Sequence, residues 1–405
     1  MTQISLPVSA FPATFTERGT LSMLADAPTA TGNSTWPATG VAMSYTQGLR
    51  GYGTEHEQMT RMEMVRRLAR LKGLSVSEEF AQQPSIGPVY LIPSDTLVGT
   101  ERARALGIKG RDDLFGGVVP YPFVSTKAIT HPLVSPASKA PEGWSYDFSR
   151  MVGDSVLPGY SAFTRDDALT AGKLLLKTGP ARVKLVRETG GNGQTVVRDA
   201  AQLAACIATI SDEMLAKDGV VIEQNLASVE TLSVGQVHVA GIVATYYGYQ
   251  RLTKNNKGAE VYGGSDLTVV RGDFQALLSL ALPREVRIAV EQALVYDSAA
   301  TACFPGFFAS RINYDVVQGV DTDGQWQSGV LEQSWRAGGA TGAEIAALEA
   351  FQADPHCRVV RASCIEIYGP SDEPPPGAVI YFRGKDDDVG MLTKYTIVSP
   401  DEHTT

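Results

Sequence analysis

The chain has 405 residues, of which 43% are hydrophobic and 20% are charged, with a net charge of −9. This length suggests two or three domains, and the acidic balance argues against nucleic acid or an anionic membrane as the main partner. No stretch approaches the roughly 18 apolar residues of a membrane-spanning helix. We therefore expect a cytoplasmic enzyme with no nucleic-acid or membrane partner, and a homodimer as the default oligomeric state.

The first third of the chain divides into two regions. Residues 1–38 are rich in Ser, Thr, Pro, Ala and Gly, which favours a poorly ordered lead-in. Residues 39–130 alternate strand and helix patterns, which predicts a small parallel α/β domain. The predicted elements there are strands at Val41–Tyr45, Pro88–Ile92 and Gly117–Val119 and helices at Glu55–Lys72 and Glu101–Leu106, with Gly73 as the C-cap of the longer helix.

Residues 150–350 predict a second α/β region, and residues 351–405 a strand-containing extension. Predicted helices are Asp166–Lys177, Ala201–Leu215, Glu285–Ala300 and Gly342–Gln352; predicted strands are Arg182–Leu185, Thr195–Val197, Gly219–Glu223, Thr231–Tyr249 (as an antiparallel segment), Phe307–Val317, Gln325–Ser334, Arg358–Tyr368 and Ala378–Phe382. Two polar, glycine-containing segments, Gly248–Thr253 and Tyr262–Asp266, are predicted as loops suited to anion recognition. The acidic run from Asp386 to Asp388 is predicted as a solvated turn.

The most informative motif lies at the end of the predicted strand Gln325–Ser334 and just after it. Glu332, Ser334 and Arg336 alternate along it, so an extended backbone places them on one face. A carboxylate and a hydroxyl can hold Mg²⁺, and a guanidinium can grip phosphate oxygens. Asp315 lies on the preceding strand, and two carboxylates on adjacent strands repel unless a cation lies between them. The alternative is a carboxylate pair that faces solvent.

A lysine followed by glycines is the second motif. Lys184 ends an apolar strand shortly before Gly190, Gly191 and Gly193. Such a lysine can pair with nucleotide phosphates while backbone N–H groups of the glycine loop close over them. The motif is neither a P-loop nor a dinucleotide fingerprint, and the alternative is a solvated strand lysine.

Other polar residues admit two interpretations each. Glu223 and Leu226 end a strand whose backbone can meet an adenine edge, or they form an ordinary strand end. Arg271 can contact anions or lie on the surface. His131 and His238 are more often structural residues than catalytic ones.

Taken in order, these motifs resemble the ATP-grasp superfamily from about Lys127 to Glu344, with a layout similar to biotin carboxylase. The Gly-Gly-Ser-Asp and Ser-Trp-Arg-Ala-Gly-Gly elements also resemble an uncharacterised bacterial ATP-grasp-like family. The resemblance implies an α/β (α+β) chain with an ATP-grasp fold, preceded by a Rossmann-like pre-ATP-grasp domain. It also implies ATP and Mg²⁺ as cofactors.

The resemblance further implies roles for single residues. Lys127 and Lys184, with Gly190, Gly191 and Gly193, would bind the nucleotide phosphates; Glu223 and Leu226 would form the adenine hinge; Asp315, Glu332 and Ser334 would bind metal; Arg336 would steady the phosphates or the reacting intermediate; and Arg271 would contact phosphate or the acceptor carboxylate. Ser334 stands where most members carry Asn, which bears on a second metal ion.

The implied activity is that of a ligase. It would activate a small-molecule or peptide carboxylate as an acyl phosphate, which an amine or similar nucleophile then attacks. The alternative is a catalytically weakened ATP-grasp protein that acts as a nucleotide-responsive binding module, and the Ser334 departure supports it.

Overall fold

A computed structural model describes residues 40–46, 53–77, 87–188 and 193–399. The expected lead-in at residues 1–38 lies outside the described residues, and so do Gly190 and Gly191. None of the helices within the described residues combines the length and apolarity that crossing a membrane requires.

The N-terminal part forms a small parallel sheet with one long helix. Its elements are β1 (Val41–Tyr45), α1 (Glu55–Lys72), β2 (Ser75–Ser77) and β3 (Val89–Pro93), and the strand order is β2-β1-β3. Gly73 ends α1 with φ 66°, a left-handed conformation that glycine adopts without steric cost. The predicted bounds of β1 and α1 and the parallel arrangement are confirmed.

A short second unit follows β3. It contains β4 (Leu97–Val98), α2 (Thr100–Ala105) and β5 (Gly117–Val119), and β4 and β5 are parallel. The predicted helix is confirmed with its start one residue earlier, and the predicted strand at β5 is confirmed.

Next comes a four-stranded antiparallel sheet that carries Lys184. Its region contains α3 (Tyr146–Met151), β6 (Gly159–Ala162), α4 (Arg165–Leu175), β7 (Ala181–Leu185), β8 (Gln194–Val197), α5 (Ala200–Ala208), α6 (Asp212–Lys217) and β9 (Val220–Gln224), in the strand order β6-β9-β7-β8. The predicted helix Ala201–Leu215 is instead two helices, because Ser211 caps α6 by accepting a hydrogen bond from the Met214 N–H.

The largest sheet has eight strands and carries both candidate metal carboxylates. Its region contains β10 (Ala227–Val239), β11 (Ile242–Lys254), β12 (Glu260–Arg271), α7 (Phe274–Leu278), α8 (Arg284–Cys303), β13 (Phe308–Ala309), β14 (Arg311–Val320), β15 (Trp326–Ser334), α9 (Thr341–Ala353), β16 (Val359–Tyr368), β17 (Val379–Asp386) and β18 (Gly390–Val398). The order is β15-β14-β10-β11-β12-β16-β18-β17, all antiparallel, while β13 pairs with β5. The predicted mixed α/β fold with a small parallel sheet first is confirmed.

Two sequence predictions in this region are wrong. Gly248–Thr253 and Tyr262–Asp266 are not loops but parts of β11 and β12. Gly248 is needed inside the sheet, since a Cβ there would lie 2.3 Å from the Asp266 carbonyl oxygen. The predicted solvated turn is confirmed for Asp387 and Asp388 but is wrong for Asp386, which ends its strand, is 1% exposed, and accepts hydrogen bonds from the backbone of residues 56, 388 and 389.

The core lies on both faces of the large sheet. Alternate residues of its central strands point to opposite faces. On one face, Val234 and Tyr314 belong to the same buried cluster as Ala293 of α8. On the other face, Tyr246 and Val269 belong to the same buried cluster as Ala347 of α9. Helices therefore cover apolar clusters on both faces of the sheet. The polar positions of β14 and β15 differ from this apolar core and are described below.

Candidate functional site

The centre of the site is a pair of carboxylates on β14 and β15. The strand register sets Asp315 opposite Glu332 and Asn313 opposite Ser334. Directly opposed residues of an antiparallel pair project their side chains to the same face. The structure therefore brings two carboxylates, an amide and a hydroxyl to one face of the sheet.

Asp315 is held by neutral hydrogen-bond donors. Its Oδ1 accepts hydrogen bonds from Gln250 Nε2 and Asn313 Nδ2, both at 3.0 Å, and from Ser233 Oγ at 3.3 Å. Burial and the negative charge of Glu332 raise the pKa of Asp315, and the three hydrogen bonds only partly oppose them. A carboxylate in this state gains from a nearby cation.

Glu332 is paired with a cation, the ammonium group of Lys127. The Lys127 Nζ lies 2.7 Å from Glu332 Oε2 and also donates a hydrogen bond to the Glu188 carbonyl at 2.8 Å. Gln333, next to Glu332, donates 2.9 Å hydrogen bonds from Nε2 to the carbonyls of Val124 and Thr126. The turn that carries Lys127 is thereby fixed against the end of β15.

A second cation–carboxylate pair lies on the smaller antiparallel sheet. Lys184 on β7 forms an ion pair with Glu223 on β9, and His131 Nε2 lies 3.2 Å from the other carboxylate oxygen of Glu223. All three side chains are buried. Burial raises the pKa of Glu223, but the Lys184 charge and the His131 hydrogen bond outweigh it and hold the pKa below its ordinary value.

The hinge that follows β9 is apolar on one side. Leu226 is buried in a small cluster with Leu157 and Val317, and Leu331 packs against them. Gly193 has φ 64°, and its carbonyl accepts a hydrogen bond from the Leu185 N–H at 2.9 Å. Gly193 therefore pairs with the end of β7.

The end of β15 is anchored by a buried arginine. Arg311 is fully buried, forms an ion pair with Glu344 of α9 at 2.7 Å, and donates to Ser334 Oγ at 3.3 Å. Arg336 is partly exposed, and its Nε lies 3.5 Å from an Asp95 carboxylate oxygen in the loop after β3. Arg336 thus connects the end of β15 to the N-terminal parallel sheet.

Arg271 does not join these residues, which corrects the expectation of a phosphate or substrate contact. Its guanidinium donates hydrogen bonds to the carbonyls of Phe351, Asp354 and Cys357 and lies over the Phe351 ring. A cation at the last carbonyls of a helix offsets the negative end of the helix dipole. The contacts of Arg271 are those of a structural cap on α9.

Arg251, from the segment that was predicted as a loop, and His238 are structural by their contacts. Arg251 forms a two-pronged ion pair with Asp266 on the next strand. His238 Nε2 lies 2.6 Å from Gln236 Oε1.

Sequence reasoning missed the side chains that support Asp315. Besides Ser233 and Gln250 these include Asn313, whose Oδ1 accepts a 2.9 Å hydrogen bond from the Tyr246 hydroxyl. Asn313 precedes Asp315 by two residues and could have been found from the alternation of the strand. Ser233 and Gln250 lie on other strands, and only the register of the sheet reveals them.

The site offers two carboxylates, Asp315 and Glu332, to a metal ion. Within the described residues no group of three or more His, Cys, Asp or Glu side chains is placed to hold a metal ion. Mg²⁺ characteristically uses one or two carboxylates and completes its shell with water and phosphate oxygens. Asp315 and Glu332 fit Mg²⁺ that arrives with a phosphate ligand better than a cage made wholly of protein.

The fold and site define an α/β protein with a small parallel sheet, a four-stranded antiparallel sheet carrying Lys184, and an eight-stranded sheet carrying Asp315 and Glu332. The small parallel sheet comes first, which is the place that the resemblance implies for the pre-ATP-grasp domain. A family described as "Protein of unknown function (DUF3182)" matches residues 45–396, so the chain belongs to that family. No curated protein matches it.

Several solved structures are similar to the chain. Biotin carboxylase from Campylobacter jejuni, in a β,γ-ATP complex, is 9% identical, with 90% of this chain and 88% of that chain covered and a TM-score of 0.48. N5-carboxyaminoimidazole synthase from Aspergillus clavatus, with ADP and 5-aminoimidazole ribonucleotide, is 13% identical, with 90% and 95% covered and a TM-score of 0.49. Phosphoribosylamine–glycine ligase from Thermotoga maritima is 15% identical, with 90% and 93% covered and a TM-score of 0.44.

Proposed function

We propose that the chain is an ATP- and Mg²⁺-dependent ligase that activates a small-molecule or peptide carboxylate for attack by an amine or similar nucleophile. One observation carries the proposal: Asp315 and Glu332 oppose each other on one face of the sheet, and the Lys127 ammonium contacts Glu332. Carboxylates for a metal and a lysine for phosphates are the components that phosphoryl transfer requires.

Asp315 and Glu332 are the proposed metal ligands, with Ser334 as a weaker candidate. The raised pKa of Asp315 and its position opposite Glu332 support a cation between them. Bound Mg²⁺ would neutralise charge that develops on the transferred phosphoryl group. The neutral donors on Asp315 would keep its carboxylate oriented while a ligand binds.

Lys127, Lys184 and the glycine segment that ends at Gly193 are the proposed phosphate-binding elements. Lys127 also contacts the carbonyl of Glu188, immediately before that segment. Glu223 holds Lys184, and the apolar cluster around Leu226 offers a surface for the adenine ring. Lys127 is held by the partly exposed Glu332, which a phosphate can replace, whereas the buried Glu223 keeps Lys184 in a fixed position.

The proposed chemistry needs positioning rather than covalent catalysis by the protein. A substrate carboxylate oxygen attacks the γ-phosphorus of ATP and ADP leaves; the nucleophile then attacks the carbonyl carbon and inorganic phosphate leaves. Arg336, at the end of β15 and partly exposed, is the proposed contact of the acyl phosphate. Arg271 is left out of this role because backbone carbonyls occupy its guanidinium.

We also propose the domain division expected from the sequence, with residues 39–130 as the pre-ATP-grasp unit and residues 150–350 as the catalytic region. The strands of the 351–405 extension continue the large sheet through β16 and β18, which supports a structural role for that extension. The cytoplasmic location and the homodimer stay predictions.

The experiment that tests the function combines calorimetry and turnover. MgATP binding to the wild type is measured first, and ADP release is then screened over carboxylate and amine pairs. We expect Glu332→Gln to keep the fold and to lower turnover by at least about 100-fold, since charge at the metal site is lost. Glu366→Gln is the matched control, because Glu366 pairs with Lys394 on distant strands of the same sheet. Full activity of Glu332→Gln would remove the metal assignment.

The alternative, a nucleotide-responsive binding module, is favoured by one observation. The Ser334 hydroxyl already accepts a hydrogen bond from Arg311, so it is a poorer metal ligand than a free oxygen. MgATP binding without ADP release over the whole acceptor screen would support the module.

A further inference from the structure

The two candidate metal carboxylates are stabilised in different ways. Asp315 is surrounded by neutral donors from Ser233, Gln250 and Asn313, whereas Glu332 holds the Lys127 ammonium. Two opposed carboxylates need a positive charge, and here one lysine supplies it. The protein therefore carries its own cation on one of the two carboxylates that a divalent ion would use.

The Lys127 contact competes directly with a metal ion. Its Nζ lies 2.7 Å from Glu332 Oε2, so a Mg²⁺ ion bound to Glu332 at about 2.1 Å would lie close to the ammonium, and the two positive charges would repel each other. Lys127 is also fixed by the Glu188 carbonyl and is almost fully buried. Moving it away from Glu332 therefore needs another anionic partner for the ammonium.

Nucleotide phosphate is the partner that the proposed function supplies. We propose that Lys127 excludes divalent cations from Glu332 in the nucleotide-free protein and yields that carboxylate only when phosphate oxygens take its ammonium. This inference rests on the proposed function. It makes metal binding conditional on nucleotide binding: the metal enters with the phosphates and does not bind beforehand.

The partly exposed side of the pair makes the exchange feasible. The Glu332 side chain is 28% exposed while that of Lys127 is 5% exposed, so water can solvate the carboxylate when phosphate oxygens take the ammonium. The Glu366–Lys394 pair on the same sheet has similar chemistry, with side chains 12% and 16% exposed. That pair serves as a control, because its strands β16 and β18 are separated from β14 and β15 by three other strands of the sheet.

The test measures Mn²⁺ binding by the whole chain without nucleotide, using the paramagnetic signal of free Mn²⁺. We expect weak binding by the wild type and at least about tenfold tighter binding by Lys127→Met, because the opposed carboxylates then lack their cation. Lys394→Met should leave Mn²⁺ affinity unchanged. Lys127→Gln, which keeps a donor for the Glu188 carbonyl, replaces Lys127→Met if that variant does not fold.

The same titration with a non-hydrolysable ATP analogue completes the test. We expect the wild type to bind Mn²⁺ at least about tenfold more tightly when the analogue is present. Equal Mn²⁺ affinity of the wild type with and without a bound analogue would overturn the exclusion, and so would a folded Lys127→Gln with no gain. If the wild type binds no analogue, the proposed function fails, while tighter Mn²⁺ binding by the Lys127 variants would still support exclusion of the metal by Lys127.

Discussion

The site contains two lysine–glutamate pairs that look alike in chemistry and differ in environment. Lys127 with Glu332 joins a short helical turn to β15, and Lys184 with Glu223 joins two neighbouring strands of the smaller sheet. The Glu332 side chain is 28% exposed, but that of Glu223 is 2% exposed. Only the first pair has a carboxylate that a ligand can reach without opening the core.

The difference teaches that burial decides what an ion pair can do. A fully buried ion pair must stay intact, because either partner left alone is an uncompensated buried charge. In an ion pair with one partly exposed side chain, the lysine can exchange its partner, because water and ligand phosphates can replace the carboxylate. We therefore expect Lys184 to act mainly through its fixed position and Lys127 through its exchange.

The largest effect on stability is expected when the buried Lys184–Glu223 pair is broken. Lys184→Met leaves Glu223 buried beside His131 alone, and we expect a loss of about 3–5 kcal/mol in the free energy of unfolding. Lys127→Met should cost about 1 kcal/mol or less, because water can reach Glu332. Urea denaturation of both variants measures the contrast.

A double variant controls this comparison. Lys184→Met with Glu223→Gln removes the uncompensated carboxylate, and we expect it to recover part of the lost stability. Equal destabilisation by Lys184→Met and Lys127→Met would contradict the distinction between the two pairs.

A smaller effect is expected from an arginine that lies outside both pairs. Arg271→Ala removes charge-assisted hydrogen bonds to three carbonyls at the end of α9, which should cost about 2 kcal/mol of stability. The affinity for MgATP should not change, since Arg271 contacts neither pair. Weaker MgATP binding by a folded Arg271→Ala would return Arg271 to the nucleotide site.

How much the sequence could predict depends on the range of the contact. The bounds of α1 and the alternation that brings Glu332 and Ser334 to one face were readable because 3.6-residue and two-residue periods are local. The pairing of Lys127 with Glu332 was not, because it joins segments about 200 residues apart. The contacts of Arg271 were also not readable, because its partners are backbone carbonyls, which every residue carries.

The ends of strands were also hard to predict. Glycine and polar residues between 248 and 266 look like loop composition, yet antiparallel strands accept glycine where neighbouring backbones come close. Asp386 looks like part of a charged surface run, but three backbone N–H groups compensate its burial. Composition alone does not show such compensation.

The smallest predicted effect concerns a third carboxylate, which sharpens the comparison because its partner is neutral. Asp297 on α8 accepts a 2.7 Å hydrogen bond from the Tyr314 hydroxyl, and no ion pair of the described residues includes it. Burial raises the pKa of Asp297, and the Tyr314 hydrogen bond only partly opposes this. The folded state therefore binds this proton more tightly than the unfolded state does, and stability falls as pH rises from the ordinary aspartate range through the raised pKa.

Asn at position 297 keeps an acceptor for Tyr314 and removes this titration. We expect Asp297→Asn to gain stability relative to the wild type as pH rises from about 4 to neutrality. The gain should be well below the loss caused by Lys184→Met. Urea denaturation at both pH values measures it, with Asp323→Asn in the exposed β14–β15 turn as the control. A loss of stability at neutral pH instead would mean that the charged form of Asp297 is favoured in the fold, and a buried carboxylate would then need no cation to be stable here.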